Sequence, residues 1–92
     1  MTIPRFPLGH IVATAAALNA LLMAGQTPED FLSRHVTGDW GDVGEYDRRE
    51  NDRSVAGGCR LLSAYTLSTG EQLWLITEAD RSSTTILLPS EY

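Results

Sequence analysis

Asp39, Asp42 and Glu45 follow one another at three-residue steps, and His35 stands one helical turn ahead of them. Carboxylates and an imidazole in that order are ligand types for a divalent metal, with the histidine as a general base. Such a site would make the chain a small metal-dependent hydrolase or nuclease-like enzyme. The spacing speaks against it, because a calcium loop needs ligands at alternating positions and a Glu that closes the loop. The plainer reading has Asp39 capping a turn, Asp47 capping the helix that follows, and His35 packed or half-exposed. That reading is preferred, so the expectation is no metal, no cofactor and no catalytic residue.

The same stretch has a second reading, as a surface. Residues 38–53 gather six of the 12 carboxylates, three of the seven arginines, Trp40, Tyr46 and three of the eight glycines. Chains concentrate special geometry and charge in this way in loops with a job. Trp40 would be either an anchor for a partner, since aromatics and Arg dominate binding hot spots, or a plug that folds the loop onto the core. The plug is favoured, because a domain this small has little core to spare. From Asp47 to Arg53 the charges alternate at helical spacing, which reads first as a solvated face and second as a recognition surface. The expected contact residues are Asp39, Trp40, Asp42, Tyr46, Arg48 and Arg49.

Residues 39–53 carry six acids against three arginines, and the whole chain a net charge of −5. An acidic surface disfavours binding to a phosphate backbone, which draws its affinity from cations. The expected partner is another protein, of basic or nucleic-acid-binding character. Two other clusters invite chemistry less. Residues 77–85 hold two carboxylates, Arg81 and several hydroxyls, but no base lies near in sequence, and local turn bonds with Asp80 holding the turn account for them. Cys59 has no cysteine partner and reads as a half-buried thiol.

The elements that must position these groups change period along the chain. Residues 3–7 are extended by their prolines, and residues 9–13 form a short strand or an extended lead-in. Thr14 caps a helix over 15–24 that Gly25 ends. Thr27, Pro28, Glu29 and Asp30 open a second helix with Phe31, Leu32, His35 and Val36 on one face, and Gly38 stops it. Residues 45–55 form a polar third helix. Alternation then predicts strands over 59–67, 72–79 and 84–88, with turns at 68–71 and 80–83. The fold class is α+β: two or three N-terminal helices on a C-terminal three-stranded antiparallel meander, with one extra short N-terminal strand as an option.

Ninety-two residues, 42% hydrophobic and 21% charged, make one domain over residues 1–92. No secretory signal is visible, and the apolar run 18–25 is too short to cross a bilayer. The expectation is a cytoplasmic protein without membrane contact. A homodimer is a further option, formed by edge pairing of strand 84–88.

Gly38-Asp39-Trp40-Gly41-Asp42, Asp47-Arg48, Leu62-Ser63-Ala64-Tyr65, the run Ile76 to Ser82 and Thr84 to Pro89 resemble a family of small uncharacterised bacterial proteins. Its members occur on plasmids, other mobile elements and chromosomes and are usually labelled hypothetical or plasmid-related. The resemblance covers nearly the whole chain. It implies a free-standing domain in a mobile-element or defence-related setting, and carries no activity. Some members bear a restriction-modification label, which this chain does not support: it is too short for a methyltransferase and has no Gly-rich cofactor loop after a strand. The expected function is a non-enzymatic protein-interaction domain related to host defence or counter-defence.

Overall fold

Thr14 opens the first helix through its side chain. In the computed structural model, which describes residues 3–92, its hydroxyl accepts the Ala17 amide at 3.0 Å. Helix α1 then runs over Ala15–Ala24, and Gly25 ends it at φ 69°, a left-handed geometry that a Cβ would strain. Thr27 and Asp30 exchange reciprocal side-chain-to-backbone bonds and Pro28 takes the first position, which fixes the start of α2, Pro28–Val36. Helix α3, Glu45–Val55, has Gly44 at its N-cap with no side-chain bond. Asp47 therefore does not cap it; it sits in the first turn, where the helix's positive end favours a carboxylate.

The strands are β1 (His10–Ala13), β2 (Leu61–Thr66), β3 (Gln72–Thr77) and β4 (Ser83–Leu87), followed by a 3₁₀ turn at Pro89–Glu91. β2, β3 and β4 form the expected antiparallel meander. The sheet is nevertheless four-stranded and mixed, in the order β1-β4-β3-β2, because β1 pairs in parallel with β4. Parallel neighbours need a long crossover, and here everything between β1 and β4 is that crossover. One consequence corrects the sequence reading. β4 lies inside the sheet, hydrogen-bonded on both sides, so it is no open edge; the edges are β1 and β2.

The register puts Leu61, Ser63 and Tyr65 of β2, Leu73, Leu75 and Thr77 of β3, and Thr84 and Ile86 of β4 on one face. Against their apolar members pack Ala17, Ala20 and Leu21 of α1 and Phe31 and Leu32 of α2. Each fully buried Leu or Ile contributes about 1.5–3 kcal/mol, and this layer is the main core. Phe6, Trp40 and Leu61 form a second, smaller cluster with Val43 and Val55. On the other face a cleft of about 190 Å³ is lined by Arg60, Leu62, Trp74, Ile76 and Tyr92. Tyr92 meets Trp74 edge-on at 5.6 Å.

The β3–β4 turn is held in two ways. The Asp80 carboxylate accepts the Ser82 amide at 3.0 Å, as expected. Arg81 adopts φ 62°, alone among the described non-glycine residues in having a positive φ. Its guanidinium donates to the carbonyls of Cys59 at 2.7 Å, Glu78 at 3.1 Å and Ser54. Among the described residues no helix is long and apolar enough to cross a membrane.

Candidate functional site

The segment that concentrates the charge is fastened to the sheet at several points. Arg34 grips Asp39 with a two-pronged contact, Nε to Oδ2 at 2.7 Å and Nη2 to Oδ1 at 3.3 Å. Asp39 Oδ1 also accepts the Gly41 amide at 3.2 Å, the turn cap that its type predicts. The Arg34 hydrogen bond holds the Asp39 carboxyl below its ordinary range, and Asp39 in turn raises Arg34. Both side chains are about half-exposed, so the pair is worth at most ~1 kcal/mol. Behind it the Tyr65 hydroxyl donates to the Asp39 carbonyl at 2.6 Å, and burial pushes the phenol up to about 12.

Beyond Asp39 the chain closes the open side of β2. Ala64 N–H donates to the Trp40 carbonyl at 3.1 Å, and Asp42 N–H donates to the Ala64 carbonyl at 2.6 Å. Gly41 is required for this approach: at φ 75° a Cβ on it would lie 2.1 Å from the Ala64 oxygen. The Thr66 hydroxyl donates to the Asp42 carboxylate at 2.7 Å. One step along β2, the Asn51 amide donates to the Leu62 carbonyl at 2.7 Å and its oxygen accepts the Leu62 N–H at 3.2 Å. Asn51 thus imitates a neighbouring strand, and residues 40–42 and 51 together satisfy the outward backbone of Leu62 and Ala64 in β2.

Trp40 is the plug of this seal. It is 3% exposed, stacks on Phe6 with centroids 6.0 Å apart, and donates from Nε1 to Asp52 at 2.9 Å. Its expected role as a contact residue is corrected: the ring fills the second core cluster and is not offered to a partner. Asp39 and Asp42 remain at the surface, but each carboxylate is engaged by its own chain. Among the expected contact residues, Tyr46, Arg48 and Arg49 stand free of the interior on α3.

His35 is fully buried, and both ring nitrogens are taken. Nδ1 lies 2.6 Å from Ser63 Oγ and Nε2 lies 2.8 Å from Thr77 Oγ1; Thr77 Oγ1 is 2.7 Å from Thr84 Oγ1. Thr84 donates to the Leu8 carbonyl at 2.8 Å, and a carbonyl only accepts. Thr84 must therefore accept from Thr77, and Thr77 from His35 Nε2–H. Nδ1 is left as an acceptor for the Ser63 hydroxyl. The direction of the whole chain, and with it the histidine tautomer, follows from its last link. Burial, with the positive charge of Arg81 second, pushes His35 down to about 4.

A serine 2.6 Å from an imidazole has the look of a nucleophile and its base. Ser63 and His35 are both 0% exposed, with Phe6 and Trp40 set edge-on against the ring at 5.2 and 5.7 Å. The pair is closed to any substrate and serves as a polar tie through the core. His35 is not brought together with Asp39, Asp42 and Glu45; each has a different partner, and among the described residues no three His, Cys, Asp or Glu gather as a metal set. Ser63, Thr77, Thr84 and Asn51 were missed as partners in the sequence. A signal for two of them was present: Ser63 shares its alternation with Leu61 and Tyr65, and Thr77 with Leu73 and Leu75.

What remains outward is a stripe on α3. Tyr46 is 74% exposed, and Arg49 and Arg53 follow it three and seven residues on, along one side of the helix. Glu45 pairs with Arg49 at 3.2 Å and with Arg48 at 3.9 Å, and Glu50 with Arg53 at 2.6 Å. The opposite side of α3 buries Asn51 and Ser54. Cys59 just beyond the helix is exposed, not half-buried as expected. Comparison of the chain with protein-family models, with curated proteins and with solved structures finds no match.

Proposed function

We propose that the protein is a non-enzymatic interaction domain that meets another protein through the outer side of α3. The observation that carries this reading is the stripe Tyr46, Arg49 and Arg53, standing outward on a helix whose inner side is pinned by Asn51 and Ser54. Tyrosine and arginine are the residue types that dominate binding hot spots. A helix fixed before binding loses little freedom on association, and the Glu45 and Glu50 pairs hold the two arginines extended along its surface. The excess of acids over arginines in residues 39–53 suits a partner of basic character. The resemblance to mobile-element proteins supports a cytoplasmic role in host defence or counter-defence, with a nucleic-acid-binding protein as the target.

The test uses the intact chain as bait against host lysate, beside Tyr46→Ala and an Arg49→Ala/Arg53→Ala double variant. Each variant is expected to lose the partner, at a cost of about 2 kcal/mol or more for a hot-spot truncation. Circular dichroism should remain that of the parent, since none of the three side chains is buried. Equal recovery of the same partner by all three baits removes this surface from the function.

A further inference from the structure

We infer that the open β1 edge pairs with a second copy of the chain, joining two four-stranded sheets about a two-fold axis at Val12. His10 N–H donates to the Ser82 carbonyl at 2.9 Å and Thr14 N–H to the Ile86 carbonyl at 3.0 Å. Strand alternation then turns the N–H and C=O groups of Ile11 and Ala13 away from β4, and no described residue takes them. Placed antiparallel, Ile11 of one copy faces Ala13 of the next and the reverse, so both residues exchange both bonds. Val12 then meets its own counterpart at the axis, as a non-hydrogen-bonded pair with close side chains. Ile11 and Val12 are both half-exposed as single chains, and this pairing covers them.

Charge identifies the occupant. A chain of net charge −5 repels its own copy over most of its surface. From Phe6 to Pro28, however, there is no Asp, Glu, Lys or Arg. That stretch contains β1 and α1, which lies over β4, the strand next to the edge. It also supplies Leu18, Leu22 and Met23 as exposed apolar side chains. Edges are ordinarily guarded by charge, proline, a bulge or brevity, and of these β1 has brevity alone. The β2 edge, by contrast, is closed at Leu62 and Ala64 by residues 40–42 and 51, and only the Thr66 backbone at its end has no described partner. A strand of four residues makes a small interface, so the dimer forms and dissociates with concentration. It leaves the two α3 surfaces free at opposite ends of the joined sheet, and it does not rest on their proposed role.

Sedimentation velocity over a dilution series tests it, with amide exchange followed by NMR. The parent chain should approach twice 10.1 kDa at high concentration, and exchange at Ile11 and Ala13 should slow as the dimer fills. Val12→Lys sets two like charges face to face and should weaken the dimer about tenfold or more, while Tyr46→Ala leaves it unchanged. A single-chain mass at every concentration overturns the inference. So does a dimer that Val12→Lys leaves intact, or one in which exchange at Ile11 and Ala13 does not slow. The exchange measurement needs only the parent chain, so it decides the matter even if Val12→Lys does not fold.

Discussion

The two edges of the sheet answer the same problem in opposite ways. At β2 the outward backbone of Leu62 and Ala64 is covered by residues 40–42 and by Asn51, with Trp40 locked beneath them. At β1 the outward groups of Ile11 and Ala13 have no described partner, and the flanking stretch holds no Asp, Glu, Lys or Arg. The difference teaches where to look for work. The dense, acidic segment uses residues 40–42 and Asn51 to close an edge, while the short strand His10–Ala13, with no acidic residue, holds outward backbone groups without a described partner. Charge density marks solvent as often as it marks function; an unpaired strand edge is the more direct sign of unfinished bonding.

The largest expected effect strikes the sealed edge. Trp40→Ala removes a side chain that fills the second core cluster and should cost about 3–5 kcal/mol in urea unfolding. A loss under about 1 kcal/mol would mean the seal does not depend on its plug. The next test asks whether the two edges are linked, because the hydroxyl–imidazole chain runs from Ser63 on β2 through β3 and β4 to Leu8 beside β1. His35 titrates at about 4 when folded, against an ordinary 6.5. Between those values the unfolded chain binds a proton that the folded one refuses. Stability is therefore complete above pH 6.5, falls as the pH drops, and stops falling on this account near pH 4. The total loss is about 3 kcal/mol. A His35→Gln variant should be less stable at neutral pH but lack this slope; an unchanged slope would assign it to other groups. The smallest test compares edge with edge. Asn51→Ala should cost about 1–3 kcal/mol and speed exchange at the Leu62 amide, whereas Val12→Thr on β1 should stay within about 0.5 kcal/mol. Equal costs would erase the contrast.

Much of the helical half was legible because its signals are local. Thr14, Gly25, Thr27 and Pro28 each act within a few residues, and the observed limits of α1 and α2 follow them. The meander was legible for the same reason, with alternation and short turns setting one strand beside the next. What the sequence hid depends on partners far along the chain. Nothing at His10–Ala13 says that Ser83–Leu87 will lie beside it in parallel. Asn51 reads as one more polar position on a polar helix until Leu62 is beside it. His35 reads as a ligand or a base until two strands fall into the register that brings Ser63 and Thr77 to its two nitrogens. At the candidate site, the outward character of Tyr46, Arg48 and Arg49 was readable from helical spacing. The inward turn of Trp40 was readable only as one of two outcomes.

Arg81 carries a consequence for the order of assembly. Its side chain clasps the carbonyl of Ser54 near the end of α3 while its own backbone bends the hairpin. A helix of eleven residues, polar on most sides, is marginal in water by itself. It is fastened by Asn51 to Leu62 and by Asp52 to Trp40, and gains the Arg81 clasp at its end only when a hairpin synthesised later has closed. During translation the end of this helix must wait for the ribosome to deliver its latch, and a chain cut before residue 81 would keep the Asn51 and Asp52 bonds but leave the Ser54 end unclasped.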